Sequence, residues 1–363
     1  MRTDFFGGFI CFLIILMVPM ISVAEEKQHR LSLIVKSSGE SLHQTVLDID
    51  SDSLMTILKN AKPVEHIESI PFSNRYLLFE DEHSIHLYVM DENQHIYDIN
   101  TQSKLDLQHV EALKKLSRYY EGMEKKHFGE LVEWELADQW IPRYISFKVT
   151  DLETGLEFHA QRRAGSQHAD VQPLTKTDTE IMKTIYDGKW SWKRRAILVE
   201  HNGRMIAASM HGMPHGGGAL ANGFPGHFCI HYEGSVTHRT KSLDLSHQVM
   251  VYKAAGLLEP FVHGQPPENV VQLLMTAVNH NDIDLSSLVY DGEKHITKDM
   301  LEQIEVIRVV KQFEPTINSE LLVEVPFTFL IQYQGKSEHE QTFTFRLKRE
   351  SPTSEWTIIH SPI

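Results

Sequence analysis

Two apolar runs, Ala196-Ile197-Leu198-Val199 and Met205-Ile206-Ala207-Ala208, flank the dipeptide Asn202-Gly203. Asn and Gly accept the positive φ that a tight hairpin turn demands, so the runs are expected to pair as antiparallel strands. A second hairpin is expected upstream, with residues 144–149 as one strand, 151–155 as the turn and 156–160 as the return. Thr177-Asp178-Thr179-Glu180 reads as a capping box opening a short helix through Ile181, Met182, Ile185 and Tyr186, stopped by Asp187-Gly188. Residues 228–232 read as a short strand and 243–255 as a helix. Residues 141–263 are therefore expected to form a central mostly-β domain.

The chain has 363 residues, more than one ordinary core accommodates. Residues 25–140 read as an N-terminal α+β module. Strands are expected at 31–35 and 85–89, and Leu107, Val110, Leu113, Leu116 and Tyr120 recur at helical spacing. His66, His83, His86 and His95 are scattered there and suggest no chemistry. Pro and Gly at 260–267 mark a linker. Beyond it, 268–363 is expected to hold a helix at 268–279, another from 298, long strands at 321–333 and 341–348, and a last strand at 356–359. Helices followed by a curled antiparallel sheet resemble the cystatin-like or NTF2-like accessory modules of exported proteins. The expected fold class is an α+β multidomain chain without internal repeats.

The N-terminus reads as an export signal over residues 1–24. Arg2 precedes an almost wholly apolar run at 5–23, and Ser22-Val23-Ala24 supplies the small residues of a cleavage site before Glu25-Glu26. The run is also close to spanning length, so retention as a membrane anchor is the alternative. The signal carries Arg2 and Asp4, so its removal leaves the net charge of −14 unchanged. An acidic body argues against nucleic acid as a partner. Of the two cysteines, Cys11 lies in the signal, so Cys229 remains without an internal disulfide partner.

Cys229 lies among His211, His215, His227, His231, His238 and His247. Three readings follow. In the first, Cys229 is a nucleophile. On a strand, positions two apart share a face, so His227 and His231 would flank it. His211 or His215 could return across a glycine-rich loop to act as base, and Gly216 and Gly217 would let the backbone approach a substrate. In the second, His211, His215, His227, Cys229 and His231 supply zinc ligands of a peptidase-like protein, to which His168 with Asp170 could add. The third is a binding module with a buried, inert cysteine.

His211-Gly212, the 17 residues between His211 and Cys229, and Gly226-His227-Phe228-Cys229-Ile230-His231 together resemble the L,D-transpeptidase (YkuD-like) signature. The resemblance implies a cysteine acyl transferase or hydrolase on peptidoglycan stem peptides, secreted or cell-wall-bound, with no cofactor. It implies Cys229 as nucleophile, His227 as base, and His211 and His231 as residues shaping the site. Gly226, Phe228 and His231 replace that family's Ser/Thr, Gly and Arg. Residues 145–260 also resemble a block in uncharacterised exported proteins of Gram-positive bacteria, through Arg162-Arg163-Ala164-Gly165, His168-Ala169-Asp170-Val171 and Trp190-Ser191-Trp192.

Trp190 and Trp192 alternate and read either as an aromatic wall, with Trp192 facing substrate, or as a core pair. Lys193, Arg194 and Arg195 form a cationic patch, and Arg195 is the candidate for a substrate carboxylate. His168 and Asp170 read as a local turn or as orienters of a catalytic histidine. Asp244 reads as a helix N-cap.

Overall fold

The computed structural model describes residues 30–80, 83–238 and 241–363, and the expected signal at 1–24 lies outside them. Strands β1 (Arg30–Val35), β2 (Thr45–Ile49), β3 (Lys62–His66), β4 (Arg75–Glu80), β5 (Ile85–Met90), β6 (Ile96–Asp98) and β7 (Ser103–Asp106) form one antiparallel sheet ordered β2-β1-β4-β5-β6-β7-β3. Helix α1 (Asp52–Asn60) lies between β2 and β3, and α2 (Val110–His127) follows β7. Leu54 and Leu58 of α1 and Leu116, Tyr120 and Met123 of α2 bury against Leu33 and Phe79 of the sheet. Of the expected spacing, Leu113, Leu116 and Tyr120 form the core-facing stripe, Leu107 packs on the core from before the helix, and Val110 is exposed at its start.

Helix α3 (Trp134–Trp140) leads into strands β8 (Ser146–Asp151), β9 (Glu157–Ala164) and β10 (Ala169–Pro173). Helix α4 (Lys176–Ile185) precedes β11 (Arg194–His201), β12 (Arg204–His211) and β13 (Phe228–His231). These six strands close into a barrel in the order β10-β13-β12-β11-β8-β9. Asn202 and Gly203 adopt φ of 50° and 73° at the β11–β12 turn, as the hairpin requires. The barrel interior is apolar: Phe147, Val149, Phe158, Val171, Ile197, Ile206, Met210, Phe228 and Ile230 share one core. Helix α3 contributes Trp134 and Ala137 to it, so α3 belongs with the barrel and not with the N-terminal module.

Helix α4 begins two residues earlier than expected. Its N-cap is Thr175, whose side chain accepts from Asp178 N while the Asp178 carboxylate reaches back to Thr175 N. Asp178 also accepts from His159 N at 2.7 Å, which ties the helix start to β9. That second partner, invisible in the local sequence, fixes Asp178 as N3 and Thr175 as the cap.

Helices α5 (Leu245–Ala254), α6 (Leu258–His263), α7 (Pro267–His280), α8 (Ile283–Val289) and α9 (Lys298–Glu302) follow the barrel. Strands β14 (Ile304–Gln312), β15 (Thr316–Ser319), β16 (Leu322–Tyr333), β17 (His339–Lys348) and β18 (Thr357–His360) then form a sheet ordered β14-β16-β17-β18, with β15 also on β16. The linker at 260–267 does not separate two cores. Val249, Met250 and Ala254 of α5 pack both on Ala196, Leu198 and Ala207 of the barrel's outer face and on the α7 and C-terminal sheet core. The whole is a mixed α+β structure of antiparallel sheets around a six-stranded barrel. No helix of the described residues is long and apolar enough to cross a membrane.

Candidate functional site

The outer face of the barrel changes character across four adjacent strands. On β11 and the start of β12 it carries the Ala and Leu side chains that α5 covers. On β10, β13 and the end of β12 it carries Asp170, Gln172, Cys229, His231, Ser209 and His211, all buried. Strand alternation sorts them. Val171, Phe228, Ile230 and Met210 point into the barrel, so their neighbours must point out. The β10–β13 register then sets Asp170 directly opposite Cys229, and Asp170 Oδ1 lies 3.8 Å from Cys229 Sγ.

The loop after β12 brings the next group. His215 and His227 exchange two backbone hydrogen bonds, at 3.0 and 2.9 Å, which extends β13 and lays the loop beside it. Gln172 closes that loop, donating to Gly226 O at 2.8 Å and accepting from Ala219 N at 2.8 Å. At Gly216 the φ is +59°, and a Cβ would come 2.4 Å from the His227 ring, so glycine is required for the close approach. His215 Nε2 comes within 3.4 Å of Cys229 Sγ. Its Nδ1 is 3.1 Å from Met213 O. A carbonyl only accepts, so Nδ1 carries the proton and Nε2 presents a lone pair to the thiol.

Several expected positions fall elsewhere. The imidazole that contacts the sulfur is that of His215, among the described residues, and not that of His227. His227 Nδ1 donates to Gly217 O at 3.1 Å, and its Nε2 stands 3.8 Å from Asp170 Oδ1. His211 is buried beside Trp192, with ring centroids 4.6 Å apart, and its Nδ1 has no hydrogen-bond partner. His231 is buried in a stack between His168 at 4.5 Å and His247 at 3.8 Å. Trp192, 49 % exposed, packs over the rings of His211 and His215, while Trp190 packs edge-on against Phe224 of the core. Arg195 is occupied by Asp151 and Glu153. Arg194 pairs with Asp244, which also caps α5. Gly217 is open, with nothing within 4 Å of an added Cβ.

The histidine and aspartate of His168-Ala169-Asp170 are integral to the site. His168 Nδ1 donates to Val236 O at 2.8 Å, and its Nε2 is 3.4 Å from Asp170 Oδ1. His238 Nε2 lies 3.1 Å from the same oxygen. The sequence does carry a signal for them, since His168, Asp170 and Gln172 alternate with Ala169 and Val171. Arg162 has a different task. Fully buried, it bonds Ile141 O, Gly165 O and Asp138 and lies over the Trp134 ring, holding α3 on the barrel.

No family model, no curated protein and no solved structure matches this chain. What the site can do must be read from its electrostatics. Burial, then the Asp170 carboxylate, push the Cys229 thiol up, so the resting sulfur is protonated. Burial alone would raise Asp170, but the imidazoles of His168, His238 and His227 outweigh it and hold the carboxyl well below the usual range. Burial lowers His215, His211 and His247, and takes His231 down to about 3. The site thus sets a thiol against the neutral imidazoles of His215, His211, His231 and His247, with the Asp170 carboxylate across from it.

Proposed function

We propose that this chain is an exported cysteine acyl transferase or hydrolase of the cell envelope, acting on peptidoglycan stem peptides, with Cys229 as nucleophile and His215 as base. The observation that carries the reading is the 3.4 Å approach of His215 Nε2 to Cys229 Sγ, with the other ring nitrogen fixed by Met213 O. A nucleophile, a base in reach and a third group orienting the base are the parts such chemistry needs.

Because the thiol is protonated at rest, attack and proton transfer are concerted. Sulfur bonds to the substrate carbonyl carbon as its proton passes to His215 Nε2, and the carbonyl π pair moves onto oxygen. The tetrahedral adduct collapses by breaking the C–N bond, and the amine leaves with the proton from His215. Water or a second amine then cleaves the thioester. Trp192 and the open backbone at Gly217 offer the face along which a peptide approaches. Neutral His231, deep in its stack, supplies packing and no charge.

The apolar run and Ser22-Val23-Ala24 support export to the cell wall or medium, with membrane attachment if the run is retained. The helices and the sheet at β14–β18 support a cystatin- or NTF2-like accessory module. The test is turnover of purified muropeptides. Cys229→Ala is expected to abolish it and His215→Gln to lower it about 10²–10⁴-fold. Loss with His227→Gln but not His215→Gln would assign the base to His227. Muropeptide binding without turnover in the wild type would make the chain a binding module.

A further inference from the structure

Three histidines at this site share an arrangement that acyl transfer does not require. The Nδ1 atoms of His168, His215 and His227 donate to the backbone carbonyls of Val236, Met213 and Gly217, at 2.8, 3.1 and 3.1 Å. In the neutral ring each therefore turns a bare Nε2 lone pair inward. Those of His168 and His227 face Asp170 Oδ1, at 3.4 and 3.8 Å. A lone pair set against a carboxylate oxygen is repulsive unless a proton or a metal ion lies between them. His168 is 1 % exposed, and its Nε2 has no hydrogen-bond partner.

Imidazoles tied through one nitrogen to a backbone carbonyl, with the other aimed at a shared point, are the usual surroundings of a bound metal. The spacing agrees. A tetrahedral ion with bonds of about 2.0–2.3 Å has ligand–ligand edges of about 3.3–3.7 Å. His168 Nε2 to Asp170 Oδ1 is 3.4 Å and Asp170 Oδ1 to Cys229 Sγ is 3.8 Å. The donor atoms of His168, Asp170 and Cys229 lie within 4.8 Å of one another. Thiolate and carboxylate together would neutralise a divalent charge on this buried face.

We infer that this face of the barrel binds one divalent transition-metal ion of the zinc class through Cys229 Sγ, Asp170 and His168, with the fourth position open. Binding replaces the thiol proton, which is released to solvent as the metal–sulfur bond forms. The ion and a substrate carbonyl then compete for one sulfur, so the metal-bound protein is the resting, blocked form of the proposed enzyme. The inference uses the same sulfur as that reading, and the two fail separately.

The test uses the full-length chain, stripped with chelator and titrated with cobalt(II), followed by zinc competition. One equivalent of cobalt is expected, with a sulfur-to-cobalt charge-transfer band that survives Cys11→Ser and disappears in Cys229→Ser. Asp170→Asn and His168→Gln are each expected to weaken zinc at least about tenfold, with circular dichroism confirming that the variants fold. A folded wild-type protein without the sulfur band overturns the inference, as does zinc affinity indifferent to both substitutions. Stoichiometric zinc with no turnover before or after chelation would sink the enzymatic reading and leave the metal site standing.

Discussion

Strand β13 has two faces buried to nearly the same depth and built from opposite chemistry. Phe228 and Ile230 are 0 % exposed inside the barrel, and Cys229 and His231 are 4 % and 3 % exposed on its outside. The inner pair is held by hydrocarbon contact, which any residues of similar shape could supply. The outer pair is held among imidazoles and a carboxylate, where each polar atom must be matched to a partner or cost stability. Burial alone does not separate a structural face from a chemical one. What separates them is whether the buried atoms can trade protons, electrons or metal ions.

The largest effect that would sharpen this contrast is on activity. Cys229→Ala is expected to reduce muropeptide turnover by about 10⁴-fold or more while shifting the urea midpoint little. A large stability loss with turnover intact would show that the outer face is core like the inner. Phe228→Ala should do the converse, costing about 3–5 kcal/mol in chemical denaturation through the cavity it leaves.

Acid should separate the faces further. The inner face does not titrate, whereas burial lowers His231 to about 3 and depresses His211 and His247 as well. Their folded values lie below the unfolded value of about 6.5. The unfolded chain therefore takes up protons first, and stability that is complete above pH 6.5 is lost as pH falls toward 3. Each such histidine contributes a slope of about 1.4 kcal/mol per pH unit within that window. Urea midpoints measured from pH 7.5 to 4.5 should fall, less steeply in His247→Gln, and Phe228→Ala should displace the curve without changing its slope. The smallest effect is expected away from both faces, where Thr175→Ala should cost about 1 kcal/mol through the lost cap of α4. No change there would return the cap to Thr177.

How much could be read in advance depended on how local the cause was. The β11–β12 hairpin was legible because Asn202 and Gly203 state their own backbone requirement. Asp244 was legible as a cap, and its carboxylate accepts from His247 N as expected. Helix α8 and strand β14 were not anticipated. Strand β14 is largely exposed beyond Ile307, and its pairing with β16 shifts register twice, so no clean alternation marks it. The cystine-free, histidine-rich setting of Cys229 pointed to the site, but the partners of the sulfur were only partly visible. Asp170 stands 59 residues away in the chain and is opposite Cys229 only because β10 pairs with β13.

By itself the sequence determined the alternation that turns Cys229 and His231 to one side of a strand and Phe228 and Ile230 to the other, since side-chain direction along a strand has a period of two. It also determined the lone cysteine beyond the apolar N-terminal run and the glycines that allow the loop its path. Only the tertiary structure decided which imidazole meets the sulfur and that a carboxylate stands across from it. Those contacts cross between strands and through a loop, and their register is set by closure of the whole barrel.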